Sequence, residues 1–307
     1  MHERAEDLVS DHGLGGWSGG GSAMREGLSQ LRGTGLALEM LRNRWTYPVL
    51  VALQDRPLRP AQLLEHINEG NRRNADLVGI RVLHEKTLYM TLRRMEGDGL
   101  IIRQKHAGAG NGATPRELTS MSRGLLAALH RIATWAGGQR DQLAMFLRER
   151  RGLASPGSQV AGPKASGPPL ARSPDQEYWR DIGMALVIVR LRWGFSVLSQ
   201  LRHGAQHPTG IVAAVNAGVA RNRDITGHRT MSDKVLWDTL HRLVEAGLVN
   251  YQPRQGQFAS TARCDLTSAG RTLLVALAPL GVWAGEFEDH IVLIIRRRRG
   301  LEESLRR

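Results

Sequence analysis

The chain has 307 residues, which is long enough for two domains of ordinary size, each with its own core. Its formal net charge of +13 favours a polyanionic partner, either nucleic acid or an anionic membrane surface. A single cysteine, Cys264, excludes an internal disulfide and a multi-cysteine metal site, and the aliphatic run Ile291–Ile295 is too short to cross a membrane. We therefore predict a cytoplasmic protein with no cofactor, no bound metal ion and no membrane association.

The sequence repeats itself once, at an offset of 148 residues. Without a gap, Gly35–Leu153 aligns with Gly183–Leu301, and roughly 43 of about 119 positions are identical, which indicates a duplicated domain. The Pro-, Gly- and Ser-rich segment 154–174 is typical of a flexible linker. Residues 1–25, which include the glycine-rich GLGGWSGGGS, are predicted to form a disordered tail. The predicted domains are a first unit, 26–153, and a second unit, 175–307.

Each unit is predicted to be mostly helical. Apolar residues at helical spacing over Leu36–Leu53 predict a first helix, and a second helix opens at Pro60 and runs to about Ile67. A polar loop leads to a third helix in HEKTLYMTLRRMEGDGLI, which ends at Gly99. The segments LIIRQK and RELTS then predict a two-stranded hairpin. The last two predicted helices cover about Ser122–Ala136 and Arg140–Arg151.

Three motifs recur in both units. A basic residue precedes tryptophan in RNRW and RLRW, and the third helix runs into a Gly-Leu turn in LYMTLRRMEGDGLI and LWDTLHRLVEAGLV. The wing strand leads through ELTSMSRGL or DLTSAGRTL towards a closing tryptophan, Trp135 or Trp283. In order and spacing these motifs resemble the HxlR-type winged helix-turn-helix transcriptional regulators of bacteria. The resemblance implies a mainly α fold with small β-wings, in which two tandem winged helix-turn-helix domains form a pseudo-twofold dimer.

In the resembling fold, the exposed face of the third helix enters the major groove of DNA. In the first unit, the predicted DNA-binding residues are Lys86, Met90 and Arg93, which lie opposite the apolar stripe, and Tyr89 and Arg94, which flank them. Lysine and arginine can donate to guanine O6 and N7, and methionine can contact the thymine methyl group. The alternative is an ordinary solvated helix face that binds nothing.

The same face of the second unit has diverged. Its predicted DNA-binding residues are Lys234, Trp237, Asp238, His241 and Arg242. A carboxylate here repels phosphates, although aspartate can accept a hydrogen bond from cytosine N4. Alternatively, Lys234 and Asp238 form an ion pair one turn apart on the helix. We therefore expect the two units to read different half-sites, and the first unit to bind more strongly.

Cations in the wings and loops are predicted to contact the DNA backbone, which would give salt-dependent affinity rather than sequence choice. The wing residues are Arg103, Lys105, Arg116, Arg254 and Arg263, and the residues of the loop before the third helix are Arg73, Arg81, Arg221 and Arg229. Two alternatives stay open, since any exposed hairpin carries some cations, and the loop arginines could bridge Asp76 and Asp224. The tryptophans recur at core-like positions, and the terminal RERR and RRRR runs complement the helix dipole.

These features predict a sequence-specific DNA-binding transcriptional regulator with two non-identical winged-helix units in one chain, associated with the nucleoid and bound to double-stranded DNA. No nucleophile, base and orienting group occur at suggestive spacing, so we do not expect an enzyme. Two alternatives are a low-specificity nucleoid-associated protein that organises the chromosome and a winged-helix scaffold for protein interactions. The sequence leaves room for a small-molecule effector between the units and for a further homodimer of the tandem chain.

Overall fold

The computed structural model describes residues 18–75, 82–104, 114–150, 174–191, 193–223, 230–253 and 262–300. In the first unit these residues form α1 (Ser18–Met40), α2 (Thr46–Ala52), α3 (Pro60–Arg73), α4 (Glu85–Gly97), β1 (Ile101–Arg103), β2 (Arg116–Leu118), α5 (Ser120–Ala128), α6 (His130–Gly138) and α7 (Arg140–Glu149). In the second unit they form α8 (Pro174–Val189), α9 (Gly194–Leu201), α10 (Pro208–Arg221), α11 (Asp233–Glu245), β3 (Val249–Gln252), β4 (Arg263–Leu266), α12 (Ser268–Glu286) and α13 (Glu288–Arg298). The described chain is thus mainly α with two small two-stranded sheets, as the sequence predicts.

The start of the first unit differs from the sequence-based expectation. The single helix predicted over Leu36–Leu53 is two helices, because the Asn43 side chain accepts a hydrogen bond from the Trp45 backbone N–H at 2.8 Å and turns the chain. Helix α1 begins at Ser18, so residues 18–25 are helical rather than part of a disordered tail. Residues 1–17 and 151–173, which include most of the predicted linker, lie outside the described residues.

In each unit, one asparagine side chain makes two hydrogen bonds to a residue just before the predicted third helix, which is α4 in the first unit and α11 in the second. In the first unit, the Asn68 amide donates to Leu83 O at 3.0 Å, and its Oδ1 accepts from the Leu83 N–H at 2.7 Å. In the second unit, Asn216 makes the same pair of bonds to Met231 at 3.0 and 2.8 Å. One side chain on α3 or α10 therefore fixes the approach to α4 or α11.

The hairpins also begin in the same way. Gly99 and Gly247 follow α4 and α11 with φ of 70° and 69°, a left-handed conformation that a residue with a side chain rarely adopts. The Thr119 hydroxyl donates to Gly99 O at 2.8 Å, and the Thr267 hydroxyl donates to Gly247 O at 2.7 Å. The antiparallel pairs β1–β2 and β3–β4 follow directly, and each gains an isolated bridge to the segment before α3 or α10.

The two units pack against each other through reciprocal contacts. Helix α1 of the first unit lies along α12 of the second, while α8 of the second unit packs on α6 of the first. The Trp135 indole N–H donates to Ala269 O at 3.1 Å, and the Trp283 indole N–H donates to Met121 O at 3.0 Å. Both partners in these two bonds are related by the 148-residue offset, so the duplicated positions exchange equivalent contacts.

A continuous cluster of buried apolar side chains runs through both units. It includes the four repeated tryptophans at positions 45, 135, 193 and 283, which confirms their predicted place in the core. Among the described residues, no single helix is long and apolar enough to cross a membrane. Helices α8 and α9 reach that length and hydropathy only when taken together, and they are bent by 83° relative to each other.

Candidate nucleic-acid interface

Helix α4 presents a mixed cationic and apolar face to solvent. Its core side consists of four buried residues, Leu88, Thr91, Leu92 and Met95. On the opposite side, Lys86 and Arg93 are exposed, and 37 % of Tyr89 and 65 % of Met90 are accessible. An apolar side chain as exposed as Met90 adds nothing to the core and is available to a partner. The structure therefore brings these four residues together as the sequence predicts, while their contact with DNA stays a prediction.

Arg94, which was predicted at the flank of this face, turns towards the protein instead, and its contact with DNA stays a prediction. It is half-buried, and its Nη2 donates to the Thr46 hydroxyl of α2 at 3.2 Å. Burial lowers the pKa of the Arg94 guanidinium, and the nearby charge of Arg298 lowers it further. Position 94 lies one residue before the buried Met95 and three after the buried Thr91, so the helix turns its side chain towards the protein.

The hairpin β1–β2 and helix α4 share a partly buried ionic cluster, which also corrects the prediction for Arg116. This side chain is 2 % exposed, and its Nε donates to Glu96 Oε1 at 2.9 Å. Arg103 donates to the same carboxylate with Nε at 3.0 Å and Nη2 at 2.8 Å. Burial by itself raises the pKa of Glu96, but the hydrogen bonds from the two arginines lower it overall.

Arg116 is therefore a core cation and cannot reach a phosphate from its place in β2. Arg103 has a side chain that is 43 % exposed, and it shares the single charge of Glu96 with Arg116, so the cluster keeps a net charge of +1. The alternation of the strand could have predicted the burial of Arg116, because Arg116 lies two residues from Leu118 and shares the inward face of β2 with it. Sequence reasoning missed Glu96 entirely, since its partners lie on a hairpin that follows it in the chain.

In the second unit the same three positions carry no charge. Val244, Tyr251 and Cys264 replace Glu96, Arg103 and Arg116. Trp237 on α11 packs edge-on against Tyr251, with ring centroids 5.4 Å apart and planes at 88°. These rings remain 43 % and 38 % accessible, so the second unit exposes an aromatic pair where the first has an ion pair.

The remaining predicted residues on α11 are exposed: Lys234, Asp238, His241 and Arg242. The close contact on this face joins His241 Nδ1 to Glu245 Oε1 at 2.9 Å, rather than Lys234 to Asp238. Cys264 is buried in β4, and burial raises the pKa of its thiol to about 11. The thiol is therefore protonated at neutral pH and is a poor nucleophile.

The predicted backbone-contacting residues have mixed outcomes. Arg73 ends α3, where it pairs with Glu69 at 2.9 Å, so it belongs to a helix and not to the loop. Arg221, at the end of α10, and Arg263, in β4, are exposed. Arg81, Lys105, Arg229 and Arg254 lie outside the described residues, as do Asp76 and Asp224.

The arginine run at the end of α13 also forms ion pairs with the first unit. Arg298 of α13 pairs with Asp98, at the end of α4 in the other unit, and its Nε lies 3.2 Å from Asp98 Oδ1. Arg299 Nη2 lies 3.4 Å from Glu39 Oε1 on α1. These two cations therefore join the units.

Comparison of the chain with protein-family models, curated proteins and solved structures found no match. Among the described residues, the most distinctive exposed feature of the chain is the outer face of α4, which lies between α3 and the hairpin β1–β2.

Proposed function

We propose that the chain is a sequence-specific DNA-binding transcriptional regulator, built from two tandem winged helix-turn-helix units similar to those of HxlR-type regulators. The observation that carries the proposal is the outer face of α4. Lys86 and Arg93 can donate to guanine, while Met90 can contact a thymine methyl group and Tyr89 can pack on the backbone. The net charge of +13 adds a general attraction to DNA.

The reciprocal packing of the units supports a pseudo-twofold dimer within one chain. Trp135 and Trp283 make equivalent bonds across the interface, and α1 and α8 each pack on the other unit. Twofold-related winged helices read half-sites about one duplex turn, or roughly 34 Å, apart. A covalent link raises the effective concentration of the second unit, so two modest half-sites can give useful affinity.

The divergence of the second unit implies an asymmetric operator. Asp238 stands where the first unit has Met90, and His241 stands where it has Arg93. A carboxylate near phosphate weakens binding, and the Trp237–Tyr251 pair offers no charge. The first unit should therefore supply most of the affinity for DNA.

The exposed aromatic pair favours one alternative, in which the second unit is a protein-interaction surface. Trp237, Val244 and Tyr251 are all more than one third accessible, and aromatic residues are enriched at protein interfaces. In that case the first unit alone would bind DNA, and the second unit would recruit a partner protein.

Chromatin immunoprecipitation with sequencing, combined with footprinting of the purified chain, tests these functions. A regulator gives a few sharp peaks and a footprint that extends over two half-sites. Broad genomic coverage would instead indicate an architectural protein of the nucleoid. A footprint confined to one half-site favours the protein-interaction role for the second unit, and no enrichment at all contradicts DNA binding.

Replacing Arg93 with alanine should weaken binding to the selected site by about 1 to 3 kcal/mol, because a bidentate contact to a base is lost. Fluorescence anisotropy on the selected duplex and on a scrambled duplex measures the change. Arg131→Ala is a matched control, since Arg131 is an exposed arginine on α6. Equal affinity of the Arg93 and Arg131 variants for the selected site would contradict the assigned role of Arg93.

A further inference from the structure

A cavity of about 560 Å³ lies between the two units. Helices α2 and α3 of the first unit form one side, and α8 of the second unit forms the other. The cavity lies within the usual size range of small-molecule sites, about 300 to 1,000 Å³. Its apolar wall consists of Trp45, Tyr47, Val51, Trp179, Met184 and Val187.

A partly buried cation, Arg190, lines this cavity. Arg190 follows the last residue of α8, and its Nε and Nη2 are both shielded from water and bonded to no acceptor among the described residues. Burial lowers the pKa of Arg190 to about 10, so the guanidinium is still charged at neutral pH. Leaving buried N–H donors without acceptors costs stability, and the cost is larger for a charged group. A ligand with a matching acceptor would remove this cost.

The positions of Arg190 Nε and Nη2 indicate which chemical group would accept their hydrogen bonds. Nε and Nη2 lie on the same edge of a guanidinium, and their parallel N–H bonds match the two oxygens of a carboxylate. The chain uses this edge elsewhere, because Arg140 binds Asp181 through Nε at 3.1 Å and Nη2 at 2.7 Å. Arg103 binds Glu96 through the same two atoms.

The duplication shows what Arg190 lacks. Its equivalent in the first unit is Arg42, which donates to Glu39 Oε1 at 3.0 Å, three residues earlier in the chain. In the second unit the position of Glu39 is occupied by Val187. Both units carry the arginine, but only the first carries the carboxylate, and the apolar Val187 at that position lines the cavity.

Two more donors lie on the same cavity. Trp45 Nε1 and Asn71 Nδ2 are buried without an acceptor among the described residues, against one buried acceptor without a donor, Asn74 Oδ1. The lining also contains acidic side chains, of which Glu69 is already paired with Arg72 and Arg73. Asp55 and Asp175 are exposed and can remain in water. The buried part of the site therefore favours an anion over a cation.

We propose that this cavity binds a small aromatic carboxylic acid, with the carboxylate side-on to Arg190 and the ring against Trp45 and Trp179. Arg190 Nε and Nη2 are shielded from water, so a carboxylate in the cavity reaches them only after the Arg190 side chain rotates this edge towards the cavity. The ligand would contact both units, so it would bridge α3, which precedes the DNA-facing helix, to α8. The proposal goes beyond DNA binding and does not depend on it.

Isothermal titration calorimetry on the full chain without DNA tests the site, with benzoate and 1-naphthoate as probes and 1-naphthamide as the uncharged analogue. We expect saturable binding of 1-naphthoate with a stoichiometry of one, and roughly tenfold or more weaker binding of the amide. Arg190→Met should reduce the affinity for the acid by a similar factor. Val187→Glu should also reduce it, because it supplies the internal carboxylate that Arg42 has in Glu39.

Arg42→Met is the matched control, since it removes the equivalent arginine in the first unit and should leave binding of 1-naphthoate unchanged. Absence of saturable binding by both acids at millimolar concentration would overturn the proposal. Equal affinity for 1-naphthoate and its amide, or full affinity in the Arg190 variant, would also overturn it. If circular dichroism shows that the Arg190 variant does not fold, the Val187 variant and the comparison of acid with amide on the unmodified chain decide the outcome.

Discussion

Replacing Glu96 with glutamine should lower the free energy of unfolding by about 3 to 5 kcal/mol, because it leaves a buried arginine without its counter-charge. Arg116 is 2 % exposed and would keep its charge with only the neutral amide and the Thr114 carbonyl to satisfy it. Urea denaturation followed by circular dichroism measures this loss. Glu69→Gln is the matched control, since Glu69 also pairs with two arginines but lies on the surface of α3.

The effect of the Glu96 substitution should depend on pH in a defined direction. The folded-state pKa of Glu96 is lowered below its usual value. Its stabilising contribution is therefore fully present above the unfolded-state pKa of about 4.3 and is lost as the pH falls through the lower folded-state pKa. The difference between the wild-type chain and the Glu96 variant should shrink below about pH 4. A difference no larger than that of Glu69→Gln at neutral pH would contradict the role of Glu96.

The second unit suggests a variant of the first unit that should recover the stability lost in Glu96→Gln. There Val244, Tyr251 and Cys264 fill the positions of the ionic cluster without any charge. A buried ion pair can often be replaced by apolar residues of similar volume at little cost, whereas removal of one partner is strongly destabilising. We therefore expect the triple variant Glu96→Val, Arg103→Tyr, Arg116→Cys to be more stable than Glu96→Gln alone.

The duplicated pattern made much of the fold predictable. The leucine stripe of α4 and α11, the glycines that end these helices and the paired wing segments all recur at an offset of 148 residues. Each of these signals is local, because a helix face repeats every three or four residues and a hairpin joins neighbouring strands. The exposed residues Lys86, Met90 and Arg93 followed from the same local periodicity.

The features that could not be predicted depend on contacts between distant parts of the chain. Arg116 was assigned to the surface because cations are rarely buried, and its partner Glu96 lies 20 residues earlier. Arg94 lies on the border of the buried face, where packing of α2 and α13 decides its direction. The cavity at Arg190 depends on how the two units pack, although the change from Glu39 to Val187 is visible in the aligned repeat.

Helix α1 illustrates how tertiary packing overrides local preference. Its first residues, SGGGSAMREG, contain four glycines, and glycine disfavours a helix by about 1 kcal/mol per residue relative to alanine. The helix nevertheless extends from Ser18, and its later turns lie along α12 of the other unit. Helices in proteins gain most of their stability from such packing rather than from intrinsic propensity.

Replacing Gly281 with valine should disrupt this packing and lower the free energy of unfolding by about 3 kcal/mol. A Cβ atom at position 281 would lie 2.2 Å from the Gln30 carbonyl oxygen, and one at position 33 would lie 2.4 Å from the Gly281 oxygen. The backbones of α1 and α12 therefore touch at this crossing, and a side chain must push the helices apart. Gly285→Val is the matched control, because a Cβ atom there meets nothing within 4 Å in the same helix.

Hydrogen exchange shows whether the loss comes from this crossing. In the Gly281 variant, the amides of α1 from Gln30 onwards should exchange faster, because the helix loses its support on α12. The hairpin β1–β2 is held by contacts within the first unit and should keep its protection. Similar stability and exchange in the Gly281 and Gly285 variants would mean that α1 does not rest on α12. The reciprocal exchange of helices could then not be what joins the two units.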